Sequence, residues 1–297
     1  MTSLPPTPPT TQTPSQTTTQ PGAADWAAAR GEKWLSQLAG MEATLAPVDE
    51  PLIRALQLDT PGRIADIGCG GGGTSWAIGR RAPAGSVVHG FDVSPALVER
   101  ARQRAFPTHS EVGFTTADMA TETAPAALYD RLVSRFGIMF FDNPPAAFAN
   151  LLRWLVPGGR FAFAAWGRPA DNAWLQTVRE VVAGLVDVPA IDPEAPGPFR
   201  YGESDRLLRL LTQVGFGELD VQAWRGELPI GGALSPAGAA NFGLSAFSSF
   251  GELLAQVGAE ALHEAQQALT RRLTPHHRDG AVWMEANVHM FTGVRPA

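Results

Sequence analysis

The chain has 297 residues, 44% of them hydrophobic and 18% charged, enough apolar content for one or two cored domains. Its net charge of −6, with arginines scattered in pairs such as Arg80-Arg81 and Arg271-Arg272, argues against a nucleic-acid partner, because phosphate binding takes clustered Lys and Arg. No apolar run approaches the roughly 18 to 20 residues of a spanning helix, so no membrane insertion is expected, and a single cysteine, Cys69, excludes an internal disulfide and most of a zinc site.

Residues 1–22 are almost entirely Thr, Pro, Gln and Ser, a composition that predicts a disordered tail. The tail has neither the basic start and apolar stretch of a secretory signal nor the Arg-rich pattern of an organelle-targeting peptide, so a cytoplasmic location is expected. Over residues 23–58, Trp26, Trp34, Leu35, Leu38, Met41, Leu45, Leu52, Ile53 and Leu56 recur at intervals near three and four, which predicts two or three helices. From residue 59 onward strands alternate with helices. Predicted strands cover 63–67, 87–91, 112–116, 129–134 and 160–165, and predicted helices cover 74–81, 95–105, 144–155 and 204–214. Such alternation predicts an α/β fold built on a doubly wound, mostly parallel sheet.

Two segments interrupt the alternation. One, at 170–200, holds a helix from about Trp174 to Val186 and a proline-rich loop. The other, at 234–273, is mostly helical and lies between apparent strands at 219–228 and 282–294. Insertions after the carboxyl ends of strands fall beside the ligand crevice of such a sheet. Together with the helices of 23–58, these two segments are therefore expected to form a helical cap over a substrate pocket on the domain of 59–297.

Asp66-Ile67-Gly68-Cys69-Gly70-Gly71-Gly72-Gly73-Thr74 sets a glycine turn between a buried strand and a helix. Glycines let backbone amides approach a ligand closely, and the helix beyond offers free N–H groups. Gly68, Gly70 and Gly73 also satisfy the G-x-G-x-x-G spacing of a dinucleotide site, which keeps a nicotinamide- or flavin-dependent oxidoreductase open. The wider pattern adds Asp66 two positions before Gly68, Gly90-Phe91-Asp92-Val93-Ser94 after the second strand, and Thr116-Ala117-Asp118-Met119 after the third. Tyr129 to Phe141 and Leu155-Val156-Pro157-Gly158-Gly159-Arg160-Phe161 complete it.

In that order and spacing, residues 60–166 resemble the class I S-adenosylmethionine-dependent methyltransferases, closest to the small-molecule branch that includes the ubiquinone and menaquinone biosynthesis enzymes. The resemblance implies a seven-stranded Rossmann-like sheet, S-adenosyl-L-methionine as cofactor and a small-molecule methyl acceptor; it leaves the oligomeric state open. It also implies that Asp92, with Val93 beside it, accepts from the ribose hydroxyls, and that Asp118 and the Met119 N–H meet the adenine. Gly68, Cys69, Gly70 and Gly72 would form the turn along the methionine part. Asp66 would lie near the ammonium, with a Ser134 backbone acceptor.

Asn143-Pro144-Pro145 looks like the start of the motif of amino-methylating enzymes, but it follows Ser134 by nine positions and continues into Ala146, so a helix start is the better reading. Methyl transfer from a sulfonium is a direct displacement that needs alignment first and a base only for some acceptors. His276, His277 and Tyr201 are the candidates for such a base, whereas His89 and His289 sit within predicted strands. The expected function is methyl transfer to oxygen or carbon of an apolar small molecule. The alternatives are an NAD(P)-dependent oxidoreductase using the same loop and a non-catalytic cofactor-binding scaffold.

Overall fold

The computed structural model describes residues 23–246 and 250–297; the predicted tail at 1–22 lies outside the described residues. Before the first strand come α1 (Ala23–Ala27), α2 (Ala29–Ser36), α3 (Leu38–Leu45) and α4 (Asp49–Ala55). They are shorter and more numerous than the periodicity predicts. Gln37 leaves helical geometry between α2 and α3, and Pro47, in the 3-10 turn Ala46–Val48, has no N–H with which to carry α3 onward.

The alternation that follows is β1 (Arg63–Ile67), α5 (Gly73–Arg81), β2 (Val87–Asp92), α6 (Pro95–Arg102), β3 (Glu111–Thr116), β4 (Tyr129–Arg135), α7 (Pro144–Trp154) and β5 (Leu155–Trp166). After it come α8 (Ala173–Ala183), α9 (Ser204–Val214), β6 (Gly217–Pro229), α10 (Pro236–Ser245), α11 (Phe250–Val257), α12 (Ala259–Leu273), β7 (His277–Arg278) and β8 (Ala281–Val294). Side-chain caps set the starts of α6, α7 and α10, the last through Ser235, which accepts from Gly238 N. The Ser94 hydroxyl accepts from Leu97 N ahead of Pro95 in α6, and Asn143 accepts from Ala146 N at 3.2 Å ahead of Pro144 and Pro145 in α7. The predicted turn at Pro157-Gly158-Gly159 is drawn into β5, because Gly158 N donates to Arg295 O and Arg295 N donates to Gly159 O, each at 2.8 Å.

The sheet runs β3-β2-β1-β4-β5-β8-β6. The first five strands are parallel, and β8 lies antiparallel between β5 and β6. The expected α/β class with a mostly parallel sheet is present, modified by that antiparallel strand. Ile64, Leu132, Val133, Phe161, Phe163 and Phe291 bury the centre of the sheet. Tyr129 stacks on Trp154 at 5.7 Å, tying β4 to α7. The parallel strands all point their carboxyl ends to one edge, and ligands of open α/β sheets bind outside that edge. There α2 packs on α6, and α12 packs on α8, α10 and α11. Among the described residues, no helix is long and apolar enough to cross a membrane.

Candidate active site

At the end of β1 the chain makes a turn that depends on glycine. Gly68 has φ +71°, and a Cβ there would stand 2.9 Å from Gly137 Cα, so β1 and the chain after β4 touch backbone to backbone. Gly72 has φ +82°, and its Cβ would meet Phe114 Cζ at 2.8 Å. Asp92, at the tip of β2, fastens this turn: Oδ2 accepts from Gly70 N at 2.8 Å and Oδ1 accepts from Ser94 N at 2.9 Å. Burial raises its carboxyl pKa, and the backbone donors oppose that rise. Each oxygen keeps a lone pair for a further donor.

Asp66 is 1% exposed. Its Oδ2 accepts from Ser75 Oγ at 2.6 Å, while Oδ1 is buried without a partner. Burial pushes its pKa up to about 7; Asp49 and Asp92 add to the rise, against the Ser75 hydrogen bond and the Arg135 charge. Arg135 is held by Asp49 at 3.0 Å, and Asp49 also accepts from Thr74 Oγ1 at 2.8 Å. Cys69 is buried, and burial together with Asp92 and Asp66 pushes its thiol well above the usual range, so it is not a nucleophile. After β3, Asp118 Oδ1 accepts from Ala120 N at 2.9 Å, and the Met119 carbonyl accepts from Asn150 Nδ2 at 3.0 Å.

Asp66, Gly68, Cys69, Gly70, Asp92, Val93, Asp118 and Met119 are brought together along one wall of a cavity of about 740 Å³. Two predicted cofactor residues are not at that wall. Gly72 turns toward Phe114, and Ser134 is fully buried with its Oγ donating to Ile67 O at 2.7 Å, clamping β1 to β4. The next residues after β4, Phe136 and Gly137, line the cavity in its place. Phe136 adopts φ +68° and stacks on Trp166 at 4.4 Å. The opposite walls come from α2 and α3, from α8 and residues 188–200, and from Ala246 and α11.

None of the three predicted bases lines this cavity. His276 and His277 are exposed: β8 runs past the end of β5, where Trp166 pairs with Val288, and its hairpin with β7 carries His277 into solvent, with His276 in the 3-10 turn just before it. Tyr201 is 1% exposed and packs edge-on against Phe148 at 6.4 Å. Burial pushes its hydroxyl up to about 12, which leaves it protonated at neutral pH. The two strand histidines are structural, His89 Nδ1 meeting Tyr129 OH at 2.7 Å and His289 Nδ1 facing Tyr201 O at 3.4 Å. Sequence reasoning missed Arg30, Arg179 and Arg200, all of which line the cavity. Only the tertiary fold brings them there, and no local pattern marks them.

These residues fit S-adenosylmethionine. Asp66 lines the cavity and its Oδ1 lacks a partner, which leaves an acceptor for an ammonium, Asp92 has lone pairs for two hydroxyls, and the glycine turn leaves no Cβ in the way. No group of acids, histidines and cysteines suited to a metal ion occurs among the described residues. The dinucleotide reading loses its support, because that sheet is parallel throughout in the order 3-2-1-4-5-6, whereas here β8 is inserted antiparallel.

Comparison with known proteins agrees. Residues 64–159 match the methyltransferase-domain family. The chain is 28% identical to phosphoethanolamine N-methyltransferase 1 of Zea mays over 131 residues, 43% of this chain and 26% of that protein. It is 26% identical to the demethylmenaquinone methyltransferase of Deinococcus radiodurans over 168 residues, 53% of this chain and 68% of that protein. The chain thus spans about a quarter of the length of the plant relatives it matches. The crystal structure of a putative methyltransferase from an antibiotic biosynthesis pathway of Anabaena variabilis shares the fold, with a TM-score of 0.56 at 18% identity over 83% of this chain and 96% of that one. Residues 64–159 are a methyltransferase domain of the class I, S-adenosylmethionine-dependent type.

Proposed function

We propose that this chain is a methyltransferase that moves a methyl group from S-adenosylmethionine to oxygen or carbon of an apolar small molecule. The observation that carries the reading is the joint placement of the unpartnered Asp66 Oδ1 and the Asp92-fastened glycine turn along one wall of a partly aromatic cavity. S-adenosylmethionine, when bound, supplies an electrophilic sulfonium methyl group. Asp66, Asp92 and Asp118 would hold its ammonium, ribose and adenine. Phe136, Trp166, Trp174 and Phe199, packed ring against ring at 4.4 to 6.5 Å, form a wall that excludes water and orients an apolar acceptor. No histidine or tyrosine is among the described residues lining the cavity, and in this reading alignment and desolvation carry the reaction.

Calorimetry with S-adenosylhomocysteine tests it. The intact protein is expected to bind, and Asp92→Ala to bind at least tenfold more weakly, since hydrogen bonds to a charged acceptor contribute about 1.5 to 3 kcal/mol each. No binding, or equal binding by the variant, overturns the reading. Turnover of any acceptor separates a catalyst from a binding scaffold.

A further inference from the structure

Of the cationic side chains among the described residues lining the cavity, Arg200 alone is buried. Arg200 is 7% exposed and lines the cavity next to Phe199. Its Nη1 donates to Phe141 O and its Nη2 donates to Glu194 O at 2.9 Å. Both acceptors are neutral carbonyls. Among the described residues, no carboxylate forms an ion pair with it. The two carboxylates that bear on it electrostatically, Glu194 and Asp142, are solvent-exposed, and Asp142 also stands at the cavity. Glu194 is itself engaged by Arg206, a second cation that acts against the Arg200 charge. Burial lowers the Arg200 pKa as a consequence. A desolvated guanidinium is costly unless an anion meets it, and this one opens onto a space made for a ligand.

Resting on the methyltransferase reading, we infer that Arg200 is a specificity-determining residue of the acceptor cavity, and that the acceptor is an aromatic or similarly apolar small molecule carrying a carboxylate or comparable anionic group. The aromatic wall of Trp166, Trp174 and Phe199 takes the apolar body. The guanidinium, held in place by the Phe141 and Glu194 carbonyls, presents its remaining N–H donors to the anion, and Arg is the side chain whose planar fork matches a carboxylate.

The cofactor has a carboxylate too, and the structure offers it a different cation. Arg30 lines the cavity from α2, one turn before Trp34, whose Nε1 lies 3.8 Å from the Cβ position of Gly70. That places Arg30 on the helix covering the glycine turn, while Arg200 belongs to the segment between α8 and α9.

The test compares naphthalene-2-carboxylate with the neutral naphthalene-2-carboxamide, both titrated by tryptophan fluorescence with and without saturating S-adenosylhomocysteine. Wild-type protein is expected to bind the carboxylate at least tenfold more tightly than the amide. Arg200→Gln is expected to erase that preference while leaving S-adenosylhomocysteine affinity within twofold, and Arg200→Lys to restore part of it. Equal binding of carboxylate and amide by the wild type overturns the proposal without recourse to any variant, and leaves Arg200 as a tie for the loop of 188–198. A preference that survives in Arg200→Gln overturns it as well, as does a tenfold loss of S-adenosylhomocysteine affinity in that variant, which would assign Arg200 to the cofactor. Failure of the wild type to bind S-adenosylhomocysteine strikes instead at the methyltransferase reading, and the probe comparison without it still reads the anion site.

Discussion

Asp66 shows how a single carboxyl can couple stability, pH and binding. Its folded pKa of about 7 lies above the unfolded value near ~3.9. Between those pH values the folded state keeps a proton that the unfolded state has lost, so this group makes stability fall as pH climbs from about 4 to about 7, with no further loss above. A cationic ligand group at Oδ1 favours the ionised form. S-adenosylhomocysteine is therefore expected to bind more tightly as pH rises through about 7, with up to one proton released, measurable by calorimetry in buffers of different ionisation enthalpy. Asp66→Asn should abolish the proton release and flatten that part of the urea-stability profile against pH. An unchanged profile would mean that Asp66 is not the titrating group.

At the scale of elements, the glycines of the turns on either side of α5 make different demands. Gly72 combines a left-handed φ of +82° with a Cβ position 2.8 Å from Phe114 Cζ, whereas Gly85, at φ +87°, has nothing within 4 Å. Gly85→Ala carries the backbone strain alone, about 1–2 kcal/mol. Gly72→Ala adds overpacking against β3, for a total of roughly 2–4 kcal/mol. Urea midpoints of the two variants check the difference, and equal losses would show that Phe114 yields freely. Gly72 thus carries a packing role although it stands in the cofactor motif.

Across the whole molecule, the cavity is closed by segments far apart in the chain. Lys33 on α2 bridges to Glu252 on α11 at 2.7 Å, and Arg104 after α6 reaches Glu42 on α3 at 2.5 Å. A ligand seated between them ties the N-terminal helices, the sheet edge and α11 together and raises the stability of the fold as one unit. At a concentration 100 times its Kd, S-adenosylhomocysteine should add about 2.7 kcal/mol, or roughly 4–5 °C in Tm for a chain of this size. Differential scanning fluorimetry checks this, with NAD as the comparison. A shift with NAD and none with S-adenosylhomocysteine would reverse the assignment.

Much of this was legible in the residues themselves. The strand-helix alternation and the glycine turn flanked by Asp66, Asp92 and Asp118 are local in sequence, because strand tips and the turns after them carry their chemistry within a few positions. The sequence alone therefore determined the α/β class, the cofactor and which end of the sheet to search. It could not determine the placement of β8 between β5 and β6, which depends on pairing between strands distant in the chain. Nor could it choose among His276, His277 and Tyr201, since exposure and burial are properties of packing, and packing puts the first two in solvent and the third in the core. Arg200 was invisible for the same reason: an arginine after a proline-rich loop becomes a buried cation only when Phe141, Glu194 and the aromatic wall close around it. Local spacing fixed the half of the cavity that rests on strand tips and their turns. Only the tertiary structure decided the other half, because its charges and aromatic walls are assembled from segments that meet nowhere in the sequence.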